Sequence, residues 1–308
     1  MNVSAPEGTP VPTRPALRWH GGKWRLAPWI IGHFPPHRIY VEPFGGAASV
    51  LMRKPRAYAE VYNDLDHEVL ALFRILRDAE AAKVLRRSLE LTPFARAEFT
   101  DADQPTEDPI EQSRRLIVRS FMGFGSNAHA SQHKGHRSTG FRATSNRSGT
   151  TPAQDWANYP EAMDALVKRC AGVTVESRDA KLVMSTHDGP QTLHYVDPPY
   201  LPETRARGNR YDLAWRMYRH ELTPEDHAEL LTFLRGLTGM VVLSGYPAPL
   251  YEEHLGDWTR VETKAFADGA RERIEVLWLN PACFAALAKV RMGNDAPLFV
   301  GIAAEGSR

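Results

Sequence analysis

The sequence predicts an α/β fold: a doubly wound, mostly parallel sheet with a smaller, mainly helical and loop-built domain set into it. Three observations predict it. A β-rich run, Ile39-Tyr40-Val41, passes through the turn Glu42-Pro43-Phe44-Gly45-Gly46-Ala47-Ala48 into a helix opening at Ser49. Further short apolar runs alternate with amphipathic stretches, the pattern of parallel strands joined by crossovers. A late run, Ile274-Glu275-Val276-Leu277-Trp278-Leu279, alternates and reads as an antiparallel strand.

Composition narrows the class. A chain of 308 residues, 43% of them hydrophobic, suffices for one large domain or two smaller ones. The formal net charge is +1, so no global field draws the protein onto nucleic acid and such binding must come from local patches. Cys170 and Cys283 lie far apart and give no metal-ligand spacing. No metal is expected, and the compartment is expected to be cytosolic and reducing. No apolar run approaches the roughly 18 residues of a membrane span. Residues 1–15, rich in Pro, Gly, Ser and Thr, are expected to form a flexible tail rather than a signal peptide.

Along the chain, Trp19-His20-Gly21-Gly22-Lys23 comes first, a tight turn with a lysine directly behind it. No glycine stands at the upstream P-loop position and no Ser or Thr follows the lysine, so the spacing does not describe an ATPase. Lys23 beside Trp19 suits a ligand carboxylate, with the indole against the ligand's flat part; a surface lysine after an ordinary turn is the plainer alternative. Pro28 sits near the front of a helix carrying Leu26, Trp29 and Ile30 on one face. The turn after Val41 lacks full G-x-G-x-x-G spacing, so an adenosine or amino acid fits it better than a dinucleotide pyrophosphate. Pro55 ends the helix begun at Ser49. A second strand, Tyr58 to Tyr62, ends at Asn63-Asp64. Asp64 lies about 20 residues past the first strand, where a carboxylate meets ribose hydroxyls in doubly wound folds. Asp66 supplies a helix N-cap, and Val69, Leu72, Phe73 and Leu76 form that helix's core face.

Arg77 to Thr106 reads as helix and loop, and Asp101, Asp103, Glu107, Asp108 and Glu111 as a solvated acidic face. Then the sign reverses. Gln112 to Thr150 holds no acid but Arg114, Arg115, Arg119, Lys134, Arg137, Arg142 and Arg147, with five glycines and the aromatics Phe121, Phe124 and Phe141 interleaved. Cations neutralise phosphates, amides such as Asn127 reach base edges, and aromatics wedge into a stack. Asp155 to Cys170 is a helix with Met163, Leu166, Val167 and Cys170 on one face, and Gly172 stops it. A third strand, Val173 to Val175, leads to Asp179, placed to meet a ligand from its tip.

Leu193-His194-Tyr195-Val196 reads as a buried strand, and it ends in Asp197-Pro198-Pro199-Tyr200. Two prolines stop further pairing, because neither donates a backbone N–H. In an open α/β sheet that edge binds ligands. The lone pair of a nucleobase amine is delocalised into the ring and attacks poorly. Asp197 and the Pro198 carbonyl form a fork of acceptors that favours the tetrahedral nitrogen formed on attack, and Tyr200 offers an exposed face for stacking. A basic loop follows, Pro202 to His220, with Arg205, Arg207 and Arg210 nearest the fork. Thr223-Pro224-Glu225-Asp226 is a helix start with Leu230, Leu231 and Leu234 as its core face. Met240 to Leu243 is another buried strand, and the tail 291–308 is uninformative.

Taken together, Trp19 to Lys23, Glu42 to Gly46, Asn63-Asp64 and Asp197 to Tyr200, in that order and spacing, resemble the motifs of the Dam-like DNA adenine-N6 methyltransferases, the D12 class of the α-group. The resemblance implies a Rossmann-like methyltransferase sheet and S-adenosyl-L-methionine as cofactor. It implies base flipping in double-stranded DNA and direct methyl transfer to adenine N6. Trp19, Lys23, Glu42, Phe44, Gly45, Gly46, Asp64, Asp179 and Asp197 are the expected cofactor residues. Asp197, Pro198, Pro199 and Tyr200 are the expected catalytic set. Ala48 stands where the family usually has a second glycine, which tightens the turn. The expected division is a catalytic domain of 16–80 and 165–290 with a target-recognition domain of 81–164. The implied setting is the cytoplasm of a bacterium or phage-infected cell, on nucleoid DNA, with a cognate restriction endonuclease as the expected partner. Cytosine-N4 transfer, a non-catalytic DNA-binding module and a nicotinamide oxidoreductase are the rival readings.

Overall fold

The computed structural model describes residues 11–125, 140–143, 149–204, 220–266 and 272–293. Its centre is a seven-stranded sheet of order β3-β2-β1-β4-β5-β7-β6. The strands are β1 (Ile39–Glu42), β2 (Ala59–Asn63), β3 (Val173–Glu176), β4 (Thr192–Val196), β5 (Met240–Gly245), β6 (Thr259–Phe266) and β7 (Glu272–Leu279). The first five run parallel, whereas β7 pairs antiparallel with both β5 and β6. The expected mostly parallel sheet with an antiparallel late strand is therefore present. β4 is central and buried at every position, as a strand covered on both faces must be.

Alternate strand residues feed two apolar layers. Tyr40, Tyr62, Leu193, Tyr195 and Val242 face one layer. Val41, Val61, Val196, Val241 and Leu243 face the other. The first layer is closed by helices that include α3 (His67–Arg77), α6 (Pro109–Met122) and α8 (Tyr159–Cys170). The second is closed by α9 (Ala180–His187), α10 (Pro224–Arg235) and α11 (Pro249–His254). Helices on both faces are what a doubly wound sheet requires. The expected caps hold: Asp66 accepts from the Glu68 amide, and Thr223 and Asp226 form a reciprocal capping box.

Several elements depart from expectation. The helix expected over 155–170 is two, α7 (Pro152–Ala157) and α8, broken at Asn158. Pro160 has no N–H to donate, and its ring would clash with the carbonyl of residue 156 in a continuous helix. The sequence did not signal α9, α11, β6 or the late helix α12 (Pro281–Gly293). The inner end of the expected tail is docked: Arg14 pairs with Asp155 at 3.1 Å and lies 5.0 Å from the ring centres of Phe121 and Tyr159. Both cysteines are buried and unpaired, and burial pushes each thiol up to about 12.

The edge of the first layer is fastened by a buried charge cluster. Glu60 on β2 receives Lys54 at 2.8 Å and both Arg169 guanidinium nitrogens at 2.6 and 2.9 Å. Burial alone would raise the Glu60 pKa, but hydrogen bonds from Arg169 and the charge of Lys54 hold it below the ordinary carboxylate value. A depressed carboxylate stabilises the fold above its unfolded pKa, and that stability is lost on acidification through the folded value. Glu60→Ala strands two buried cations, so urea denaturation at neutral pH is expected to register a loss of about 3–5 kcal/mol. A loss below about 1 kcal/mol would contradict the cluster's role.

Candidate active site at the carboxyl edge of the sheet

The carboxyl ends of β1, β2, β4 and β5 lie side by side, and the chain reversal into β7 adds a fifth contributor. Ser244 and Gly245 on β5 pair with Leu277 and Val276. The antiparallel register therefore brings the start of β7, with Glu275, to the edge where the parallel strands end.

Lys23 is the hub. Its side chain is 7% exposed, and Nζ donates to the Gly21 carbonyl at 2.8 Å. Nζ also lies 3.1 Å from Asp197 Oδ2, 3.6 Å from Glu275 Oε1 and 4.6 Å from the centre of the Tyr200 ring. It is a buried, multiply paired cation and not a surface lysine. Burial pushes the Asp197 carboxyl up to about 6, with Lys23 pulling it down and Glu275 pushing it further up. Asp197 Oδ1 is buried with no hydrogen-bond partner among the described residues. A buried acceptor left without a donor costs free energy, so this oxygen is fitted to a donor that arrives with a ligand.

Tyr200 departs from expectation. Its ring is 8% exposed rather than open. The hydroxyl donates to Glu275 and lies 3.1 Å from Ser244 Oγ, while Tyr246 meets the ring edge-on at 4.6 Å. The sequence reading missed Glu275, Ser244 and Tyr246. One signal was present: with a period of two, Glu275 shares a strand face with Leu277 and Leu279. Glu275 is 3% exposed, whereas its apolar neighbour Ile274 is 43% exposed.

The Gly-rich turn is built by aromatic contacts. A Cβ on Gly45 would stand 2.1 Å from the Tyr62 ring. One on Gly46, at φ +46°, would stand 2.7 Å from Trp19 Nε1. Glycine at these positions thus admits Tyr62 and Trp19, in place of the direct ligand approach read from sequence. Ala48 takes the left-handed conformation, φ 52° and ψ 36°, at a cost of about 1 kcal/mol relative to glycine. Asp64 closes the turn: Oδ2 accepts from the Gly46 amide at 2.7 Å and Oδ1 from the Asp66 amide at 2.8 Å. Burial pushes its carboxyl up to about 6 against those two bonds. Glu42 accepts from the Tyr40 hydroxyl at 2.7 Å and the Leu51 amide at 3.0 Å, joining β1 to α2 (Ser49–Arg53). Burial raises it to about 8. Phe44 packs on the second apolar layer.

Asp179 caps α9, accepting from the Leu182 amide at 3.0 Å, and stands exposed one residue past Arg178, whose backbone bonds the Asn63 side chain at the β2 tip. The arginines read as phosphate contacts turn inward. Arg114 pairs with Glu111 and Glu98, and Arg115 with Glu111. Arg119, 1% exposed, reaches Glu68 and the Ala102 carbonyl. Arg142 pairs with Asp155 at 3.2 Å. Glu111, read as part of a solvated face, takes Arg114 and Arg115, while Glu98, Glu68 and Asp155, which were not read in that face, also pair with these arginines. Asn127, Lys134, Arg137, Arg147, Arg205, Arg207 and Arg210 lie outside the described residues. Of the three interleaved aromatics, Phe121 is buried, Phe141 packs against Phe94 and Phe99, and Phe124 is 67% exposed.

A doubly wound sheet closed by an antiparallel seventh strand, with a carboxylate and two prolines at the tip of its central strand, defines a Rossmann-like methyltransferase. Comparison with family models sharpens the class: residues 19–247 match the D12 class N6 adenine-specific DNA methyltransferases, and the chain belongs to that family. A search of curated proteins finds no match. The enzyme is an adenine-specific DNA methyltransferase, its methyl donor is S-adenosylmethionine and its substrate is DNA. Among the described residues no helix is long and apolar enough to cross a membrane.

Asp197 accepts an amine hydrogen far more strongly as the carboxylate, and only in that form can it take the proton released on transfer. Methyl transfer measured between about pH 5 and 8 is therefore expected to fall toward tenfold per unit below about 6, the value to which burial raises this group. A rate that is flat down to about pH 5 would count against Asp197 as the acceptor.

Proposed function

We propose that the chain methylates adenine at a specific site in double-stranded DNA, everting the target base and accepting the methyl group by direct in-line attack of N6. The single observation that carries the reading is Asp197. One carboxylate oxygen is fixed by Lys23, and the other is buried without a partner among the described residues. Oδ1 takes one N6 hydrogen and the Pro198 carbonyl takes the other, which draws the lone pair out of the ring and toward the methyl group. The Tyr200 ring packs against the base once Lys23 yields that face. Unstacking the base costs a few kcal/mol, recovered from contacts in the pocket.

The chemistry of these residues fits the cofactor. S-adenosylmethionine, when bound, supplies an electrophilic sulfonium methyl. Lys23 offers the charge to hold the methionine carboxylate, and Asp64 at the β2 tip is the acid for the ribose hydroxyls. Trp19 lies against Gly46, where it packs on the flat part of the ligand. Asp197 and Glu275 together outweigh Lys23 in charge, so the pocket is net negative toward a cationic donor. Once N6 carries the methyl, Asp197 is the nearest base for the released proton. The adenine specificity of the family sets aside the cytosine reading, and its enzymatic class sets aside the binding-module and oxidoreductase readings. The reading places the enzyme on nucleoid DNA in the cytoplasm, with a cognate restriction endonuclease as partner where it serves modification.

Asp197→Ala is expected to reduce transfer of labelled methyl groups to DNA by at least about 10³-fold, while calorimetry still detects the cofactor. Unchanged turnover would sink the assignment, and digestion of the product should yield N6-methyl-2′-deoxyadenosine and no N4-methyl-2′-deoxycytidine. Phe124 follows α6 and is 67% exposed. Phe124→Ala is expected to raise KM for DNA about tenfold with kcat nearly unchanged, because a stacked aromatic is worth roughly 1–3 kcal/mol. An unaltered KM would remove Phe124 from the interface.

A further inference from the structure

We propose that Glu275 is a positioning residue for methyl transfer: it tethers the Tyr200 hydroxyl and shares the Lys23 ammonium with Asp197, so that one carboxylate fixes both the ring and the cation of the reaction centre. This inference rests on the functional reading above and extends it to a strand that no motif of that reading includes; Glu275 also lies outside the residues that match the family model.

Three contacts converge on one oxygen. Oε1 of Glu275 accepts from the Tyr200 hydroxyl, accepts from Ser244 Oγ at 3.2 Å, and stands 3.6 Å from Lys23 Nζ. The side chain comes from β7, the antiparallel strand, and its register against β5 sets it beside Ser244. At 3% exposure, an acid here is costly unless its partners are kept in place. The same three contacts therefore hold the partners. Tyr200 has a rigid backbone behind it, after Pro198 and Pro199, but its ring needs a second anchor at the hydroxyl end. Lys23 is drawn toward Glu275 as well as Asp197, so neither carboxylate owns it, and Asp197 keeps one oxygen unbonded for substrate.

The arrangement has a titratable consequence. Asp197 is faced by Lys23 from the turn before α1 (Ala27–Ile31), by Glu42 from β1, by Tyr195 and Tyr200 from β4 and its tip, by Tyr246 and Tyr251 from the β5–α11 segment, and by Glu275 from β7. Among these Lys23 and the Tyr200 hydroxyl lower its pKa and Glu275 raises it. Removing the charge at 275 acts downward twice, by deleting a like charge and by leaving Lys23 to Asp197 alone.

Two substitutions separate charge from reach. Glu275→Gln keeps an acceptor for Tyr200 but no charge; Glu275→Asp keeps the charge but falls short of the hydroxyl. In the full-length protein, the acidic limb of the kcat/KM–pH profile is expected to move down by about one unit in Glu275→Gln. In Glu275→Asp it should stay in place while kcat drops at least about tenfold from a misplaced ring. The Asp197 midpoint, followed by NMR of protein labelled at aspartate Cγ and assigned with Asp197→Asn, should shift down in Glu275→Gln without any turnover being required. An unmoved midpoint, or two variants with the same profile, overturns the proposal. A wild-type protein that fails to methylate adenine defeats the functional reading instead, and the NMR titration still judges Glu275.

Discussion

The site depends on one buried ammonium. Three acids, Glu42, Asp197 and Glu275, crowd the carboxyl edge of the sheet, and like charges at such separations repel strongly once water is excluded. Lys23 lies against two of them, and the third is kept neutral near pH 7 by a pKa raised to about 8. The Gly21-Gly22 turn has to deliver that ammonium to the tip of the central strand from a segment that precedes β1. It does so by folding tightly enough that Lys23 Nζ bonds back to the Gly21 carbonyl. Everything at the edge, from the Tyr200 hydroxyl to the spare oxygen of Asp197, is arranged around a charge that the chain contributes in its first turn.

Much of this was legible in the sequence, for physical reasons. β1, β2, β4 and β5 announced themselves because strands covered on both faces are short apolar runs with abrupt polar ends, and β7 did so by its alternation. Asp66 and Thr223 could be read as caps because capping is local chemistry. The order of the cofactor and catalytic motifs was enough to place Lys23, Asp64 and Asp197 on one edge. Other features were not local. β6 alternates, Arg260, Glu262 and Lys264 outward between Thr259, Val261, Thr263 and Ala265, but with one strongly apolar residue among the inner four it carries little hydrophobic signal, and as the outermost strand beyond β7 it needs only one partner. Arg114, Arg115 and Arg119 looked like a phosphate-binding row. Glu111 is a local partner, three and four residues before Arg114 and Arg115 on α6, but Glu98 and Glu68 lie on α5 and α3, and only folding brings those to Arg114 and Arg119. Glu275 stayed hidden for the same reason: its partners come from strands distant in sequence.

The inward arginines also revise how this protein meets DNA. Arg119 is buried and Arg114 and Arg115 are partly so, each already paired with an acid of the protein. They brace α3, α5 (Arg96–Asp101) and α6 against one another, with Arg119 joining Glu68 on α3 to the Ala102 carbonyl after α5. α6 is thereby held rigidly, and Phe124 projects just beyond its end.

The two cysteines close the account in a practical way. Cys170 and Cys283 are buried, and their thiols are pushed up to about 12, so at neutral pH almost none of either is thiolate. Since the thiolate is the reactive species, maleimides and mild oxidants find no ready target. A single cysteine introduced on the surface would be the preferred point of attachment for a fluorophore or crosslinker. The native pair need not be removed first, and distance changes during DNA engagement become measurable on an otherwise unaltered enzyme.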